Sequence, residues 1–105
     1  EVDAARAHFR QDLRQIFQLA KEGSGFNALG RTSFWRDKAF ITQLCLQSVN
    51  RLLDLSGGHA FFDSGASQRF HRDAHALAHR DILIMDLAGL KYGKVALGLD
   101  PEGPI

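Results

Sequence analysis

The sequence lacks most of the features that mark unusual protein classes. It has 1 cysteine and 2 prolines in 105 residues, so an internal disulfide is impossible and few positions interrupt a helix. Its 13 basic and 12 acidic side chains nearly cancel. This balance leaves no strong field to attract nucleic acid or an anionic membrane surface. We therefore expect neither of these partners.

Long hydrophobic runs are also missing. The longest one covers only residues 82–85, whereas about 20 apolar residues are needed to span a bilayer. No secretory signal pattern is present. The single thiol, Cys45, lies among apolar residues, so we expect it to be buried and kept in a reducing compartment. A cytoplasmic location is the prediction that fits these features.

Strand-like alternation of apolar and polar residues is absent as well, and what remains is helical periodicity. In the first segment the apolar residues recur every three or four positions, with Asp12 on the opposite, polar face. Ser33 is the expected N-cap of a second, broadly apolar helix, which carries an exposed Trp35 near its start. The pattern predicts helices over residues 2–20, 33–55, 67–81 and 86–97. We predict one domain over residues 1–105, an all-α antiparallel four-helix bundle.

The breaks between these helices follow from residues that end helices. Residues 22–31 contain three glycines and predict a loop. The run Ser56-Gly57-Gly58 predicts the end of the second helix, through chain flexibility and a left-handed cap. Gly98 and Pro101 predict the end of the last helix.

The third helix carries three histidines at spacings of four, His71, His75 and His79, which places them along one helical face. The residues alone leave three interpretations open. The histidines could be a solvated stripe, they could hold zinc with His59 or Asp63 as a further ligand, or one of them could act as an acid or base. The zinc site is the least favoured of these, and our prediction includes no metal.

A set of motifs resembles the C-terminal helical domain of the acyl-CoA dehydrogenase superfamily, and within it the flavin-dependent monooxygenase branch. The motifs are Ser56-Gly57-Gly58, Gln68-Arg69-Phe70, Arg72-Asp73-Ala74-His75-Ala76, His79, Tyr92-Gly93 and Leu97-Gly98-Leu99. The resemblance implies a bundle that packs against two further domains, with the flavin in the cleft between them. This chain would then be the C-terminal part of a longer flavoenzyme, and inactive by itself.

The resemblance also implies roles for individual residues. Gly57 and Gly58 would approach the flavin or its phosphates closely, and Arg72 would bind flavin phosphate or form a salt bridge with a neighbouring subunit. The cofactor would be reduced FMN or FAD, on which oxygen is activated as a C4a-hydroperoxide. His79 would be the base or hydrogen-bond donor beside the flavin, with His75 as the second choice.

In its dehydrogenase members this family uses a glutamate shortly after the Arg-Asp-Ala motif, whereas here His79 to Leu83 contain none. The resemblance therefore favours hydroxylation of a small aromatic or amine substrate by a homotetramer supplied by a separate flavin reductase. Two alternatives stay open. One is a non-catalytic bundle for oligomerisation or partner binding, and the other is an acyl-CoA dehydrogenase domain whose base lies elsewhere.

Overall fold

A computed structural model of the chain describes residues 1–57 and 66–105, except the side chains of Ser56 and Ser67. It contains four α-helices: α1 (Val2–Lys21), α2 (Ala28–Ser56), α3 (Ala66–Ala78) and α4 (Met85–Ala96). A 3₁₀ turn, Asp81–Leu83, joins α3 to α4. Within the described ranges there are no strands, so the prediction of an all-α fold is confirmed.

The long helix α2 organises the fold, because α1, α3, α4 and the 3₁₀ turn all pack against it. Small side chains allow close packing on both α2 and α4. Ala39 on α2 and Ala88 on α4 are completely buried, so a neighbouring element can approach the backbone closely at each of these positions. The only other buried apolar residues in the described part of the chain are Ala5 and Leu53.

The molecule is flat and extended. Its Cα radius of gyration is 16.8 Å and its principal dimensions are 50 × 30 × 17 Å, whereas a compact domain of this length has a radius of gyration of about 13 Å. Large apolar side chains remain exposed on every helix, including Phe17 (65%) on α1 and Leu55 (84%) on α2. The chain therefore presents more apolar surface than its own helices cover.

Helix α1 differs from the prediction in the side chains that it buries. Asp12, expected on the outer polar face, is only 8% exposed, whereas Phe9, expected to face the other helices, is 52% exposed. The prediction for Asp12 is wrong because this carboxyl has polar partners on α2, which offset the energetic cost of burying it.

The N-cap of helix α2 lies six residues before the predicted one. The side chain of Asn27 accepts a hydrogen bond from the backbone N–H of Gly30 at 2.7 Å, which is the contact of an N-cap residue. Residues 28–31 are consequently helical, and the predictions of a loop through residue 31 and of a cap at Ser33 are wrong. Ser33 lies inside the helix and accepts a hydrogen bond from Arg36.

Two side chains of α2 also differ from expectation. Trp35 is half-buried, and its indole N–H donates to the backbone carbonyl of Ile82 at 2.7 Å. This bond fastens α2 to the 3₁₀ turn. Cys45, predicted to be buried, is exposed, because its side of α2 is not covered by the other described helices.

The predicted ends of α2 and α4 agree with the structure to within a residue or two. Helix α2 stops at Ser56, and Gly57 adopts a positive φ of 72° with ψ −165°, so the glycine stop is confirmed. Gly58, His59 and Asp63 lie outside the described residues. No helix in the described ranges is both long and apolar enough to cross a bilayer.

Candidate functional site

The three histidines of α3 form a row of neighbouring rings. The ring centroids of His71 and His75 lie 4.3 Å apart, and those of His75 and His79 lie 5.9 Å apart with near-parallel planes. This is the arrangement expected from helical spacing of four. Helix α3 ends at Ala78, so the prediction of a helix through residue 81 is wrong at that end, and His79 is the first residue beyond it.

The hydrogen bonds of His75 and His79 give these two rings different capacities. Nε2 of His75 lies 2.8 Å from the Oδ1 atom of Asn50 on α2, an acceptor that requires Nε2 to carry the proton. Nδ1 of His79 lies 2.5 Å from the backbone carbonyl oxygen of His75, so in His79 Nδ1 is the donor. The neutral ring of His79 then keeps its Nε2 lone pair for another partner, whereas His75 is held by α2.

The environment of His75 also lowers its pKa. Burial is the largest cause, followed by the charges of His71 and His79 when they are protonated. A lowered pKa favours the neutral form of His75 near pH 7, and Nε2 donates to Asn50 in that form. His75 is therefore suited to position His79, through the carbonyl that His79 binds, more than to exchange protons itself.

His79 lies at the edge of a pocket of about 280 Å³ between α2, the end of α3 and the start of α4. We call this cavity the His79 pocket. Its polar lining consists of Thr42, Gln43, His79 and Asp86, and its apolar lining of Leu46, Ala78, Leu83, Ile84 and Met85. An apolar cavity with a few polar groups is the usual form of a small-molecule site.

Two of the residues expected to contact flavin, Gly57 at the end of α2 and Arg72 in the middle of α3, do not line the His79 pocket. Gly57 is exposed, and a Cβ built on it would meet no atom within 4 Å, so a group from outside could approach this backbone closely. Arg72 is exposed and makes no ion pair with the described residues, which leaves its guanidinium available to a phosphate. These features fit the phosphate part of a flavin, but within the described residues they form no enclosure for its ring system.

A polar cluster that the sequence analysis did not identify lies between α1 and α2. We call His8, Asp12 and Asp37 the His8 cluster, and their ligand atoms all lie within 4.8 Å of one another. Nε2 of His8 is 3.1 Å from Oδ1 of Asp37, and Nη2 of Arg36 is 2.9 Å from the same oxygen. The spacing of four between His8 and Asp12 was the available signal, but only the fold adds Asp37.

The charges around the His8 cluster decide what it can hold. Burial, then the hydrogen bond and the negative charge of Asp37, raise the pKa of Asp12 to about 6. Two carboxyl groups and an imidazole could ligate a divalent ion. However, Arg36 already places a positive charge on Asp37, and it also lies 4.1 Å from the ring centroid of Tyr92 on α4. The cluster therefore acts as an internal charge network joining α1, α2 and α4.

A larger cavity, of about 680 Å³, also lies along α1 and α2, and Asp12 forms part of its wall. Aromatic and aliphatic side chains make up most of the rest, with Arg31 and Lys38 as the charged members. Its apolar walls extend the uncovered surface of α1, and it contains none of the three histidines of α3.

Comparison with known proteins identifies the family. Residues 1–82 match the family described as acyl-CoA dehydrogenase, C-terminal domain. The oxygenase component of p-hydroxyphenylacetate 3-hydroxylase from Acinetobacter baumannii is 30% identical over 71 residues, which cover 67% of this chain and 17% of that protein.

Solved structures give the same result. XiaF from Streptomyces sp., in complex with FADH2 and glycerol, superposes with a TM-score of 0.87 at 25% identity, over 97% of this chain and 26% of its own. The HsaA monooxygenase from M. tuberculosis has a TM-score of 0.83 at 28% identity, over 96% of this chain and 26% of its own.

The match extends to a third solved structure, the 3-HSA hydroxylase from Rhodococcus sp. RHA1. It has a TM-score of 0.82 at 28% identity, over 93% of this chain and 26% of its own. The chain thus spans about a quarter of the length of these structures. The all-helical fold, the length of the family match and these relatives agree: the chain belongs to the acyl-CoA dehydrogenase C-terminal domain family, and its relatives are flavin-dependent monooxygenases.

Proposed function

We propose that the chain is the C-terminal domain of a two-component flavin-dependent monooxygenase that hydroxylates a small aromatic or amine substrate. The observation that carries this proposal is the geometry of His79. Its Nδ1 is held by a backbone carbonyl, and it lines a pocket of about 280 Å³. A catalytic base must be held in a fixed orientation and must lie within reach of its substrate. The backbone carbonyl fixes the orientation of His79, and the adjacent cavity gives a substrate a place to bind within its reach.

His79 would take the proton of a phenol or amine through Nε2, which makes the substrate ring richer in electrons. His75 would act as a positioning residue, because its hydrogen bond to Asn50 holds the helical turn whose carbonyl binds His79. The pKa of His75 is lowered by burial and by its histidine neighbours, so it stays neutral and does not repel a proton that arrives on His79.

The cofactor in this proposal is reduced FMN or FAD, and support comes from the relative solved in complex with FADH2. Gly57, Gly58 and Arg72 would hold its phosphate part. Reduced flavin would supply the two electrons with which one atom of O₂ enters the substrate and the other leaves as water. Because one bundle cannot enclose a flavin, the rest of the site would come from other domains of a longer chain.

The partners follow from the same proposal. A relative named as an oxygenase component supports a separate flavin reductase, which would deliver the reduced cofactor to this enzyme. The exposed apolar side chains, such as Phe17 and Leu55, support a homotetramer in which antiparallel bundles pack together. We expect the enzyme to be cytoplasmic, where reductase and reduced flavin are available.

The test uses the full-length enzyme with a reductase, and measures hydroxylated product against hydrogen peroxide for each flavin oxidised. His79→Ala should lower the rate of hydroxylation by about 100-fold or more, with peroxide replacing product. His71→Ala is the matched control, because His71 belongs to the same row of rings but does not line the His79 pocket.

Equal product yields from His79→Ala and the wild type would show that His79 is not the catalytic base. A full-length protein that binds no reduced flavin would favour the alternative, a non-catalytic bundle. The exposed apolar faces are the observation that favours this alternative, since a bundle that only assembles subunits needs the same surfaces.

A further inference from the structure

The charge of the His79 pocket restricts which substrates it can hold. Asp86 is the only acidic residue among the described lining residues, and neither lysine nor arginine lines the cavity. Arg80 follows His79 in the chain but does not line the pocket. An anionic group placed here would meet a carboxylate without a compensating cation.

Two of the exposed polar residues at the pocket, Asp86 and Gln43, have no partner among the described residues. Asp86 lies in the first turn of α4, and its side chain makes no ion pair or hydrogen bond with the described part of the chain. Gln43 on α2 is exposed and likewise has no such partner. The Oγ1 atom of Thr42 already donates to the backbone carbonyl of Lys38 at 2.9 Å. Asp86 and Gln43 therefore remain available as acceptors for a ligand.

The size of the pocket restricts the substrate further. A cavity of about 150 Å³ accommodates a benzene molecule, and the His79 pocket measures about 280 Å³. The volume thus fits one aromatic ring with a short substituent. A fused polycyclic substrate would need space outside this cavity.

We propose that the His79 pocket selects a single-ring phenol with a short ammonium-bearing substituent, and that Asp86 is the residue that determines this specificity. The inference rests on the function proposed above and adds the substrate class. The phenol would lie towards His79, and the ammonium would bind the Asp86 carboxylate with the Gln43 amide oxygen as a second acceptor. A neutral substituent would be accepted less well, and a carboxylate least.

The experiment compares three phenols of similar size in the full-length enzyme. The probes are 4-(2-aminoethyl)phenol, 4-ethylphenol and 4-hydroxyphenylacetate, and the measurements are kcat/KM for hydroxylation and Kd by ligand-observed NMR without flavin. We expect the ammonium compound to exceed the carboxylate by about tenfold or more in both quantities, as charge complementarity predicts.

Three variants test the assignment to Asp86. Asp86→Asn should bring the ratio between the ammonium and carboxylate compounds close to one, and Gln43→Glu should widen the wild-type ratio because it adds a second negative charge. Asp81→Asn is the control: this neighbouring acidic residue lines another cavity, so the ratio should change by less than about twofold. Gln43→Glu keeps the test decisive should Asp86→Asn fail to fold.

The outcomes separate this inference from the proposed function. If the three phenols are hydroxylated with equal efficiency, the specificity inference is wrong and the monooxygenase proposal stands. If binding follows the expected order without any flavin-dependent hydroxylation, the proposed function is wrong while the pocket has been assigned correctly. If none of the phenols binds, the inference is overturned.

Discussion

At the scale of single residues, identical side chains acquire different chemistry from their partners. His75 and His79 lie four residues apart, one within α3 and one just beyond its end, yet Asn50 holds Nε2 of His75 and a backbone carbonyl holds Nδ1 of His79. Sequence spacing predicts that they are neighbours but not which nitrogen remains available. In the same way, Asp12 and Asp3 are both acidic residues of α1, and only Asp12 is buried.

The raised pKa of Asp12 makes a prediction about stability and pH. Because its pKa rises from 3.8 in a model peptide to about 6 in the fold, the folded state binds the proton more tightly than the unfolded state. This stabilising contribution is complete below pH 4 and is lost as the pH rises through about 6. Asp12→Asn removes this titrating group. The free energy of unfolding of the variant, measured relative to that of the wild type, should therefore increase by on the order of 2–3 kcal/mol between pH 4 and pH 7.

Urea unfolding of the full-length enzyme at several pH values measures this difference. Asp3→Asn is the matched control, since solvent screens its exposed charge. A difference between Asp12→Asn and the wild type that is independent of pH would show that Asp12 ionises without a penalty in the fold.

At the scale of elements, the ends of α2 show which local signals can be relied on. Its C-terminal end was predictable, because Ser56 and the glycines after it combine flexibility with a positive φ at Gly57. Its N-terminal end was not, because Asn27, Gly30 and Ser33 are all residue types that occur in a cap or a loop. The hydrogen bond to the N–H of Gly30 selects Asn27.

Asn27→Ala should destabilise the protein by about 1 kcal/mol, because the N–H of Gly30 loses its side-chain acceptor. Thermal or urea unfolding measures the change. Ser33→Ala, at the cap position that the sequence suggested, should cost less than about 0.5 kcal/mol, since Arg36 keeps its hydrogen bonds to Asp37. A larger loss for Ser33→Ala than for Asn27→Ala would contradict the observed start of α2.

Gly57→Ala should cost about 1–3 kcal/mol, because φ 72° with ψ −165° belongs to a region that is almost restricted to glycine. Gly25→Ala is the control: it also has no atom within 4 Å of a built Cβ, but its φ is not in the positive range. Unfolding measurements on both variants separate backbone strain from steric contact. Equal stabilities would mean that the end of α2 can adopt another conformation at little cost.

At the scale of the whole molecule, α2 is the common partner of the other elements, and the described core is thin. Ala39 on α2 and Ala88 on α4 are completely buried, so neither position tolerates a larger side chain without rearrangement. Many large apolar side chains are instead exposed on the outer faces of the helices, and the proposed assembly would cover them.

Ala88→Leu should therefore destabilise the protein by about 1–3 kcal/mol through overpacking. Ala96→Leu, near the exposed end of the same helix, is the matched control and should change the stability by less than about 0.5 kcal/mol. The readout is the urea midpoint at constant m-value, which distinguishes a loss of stability from a change in the unfolded state. A neutral Ala88→Leu would show that α4 can move away from α2.

Local sequence determined the helical character of this protein, the approximate limits of α1 and α4, the start of α3, and the row of histidines, because periodicity and helix-ending residues act within a few positions along the chain. Tertiary structure alone decided the burial of Asp12, the side-chain partner of His75, and the His79 pocket. These features join residues from different helices, such as Asp12 with Asp37 and His75 with Asn50. Packing brings those residues together, and no spacing along a single helix encodes it.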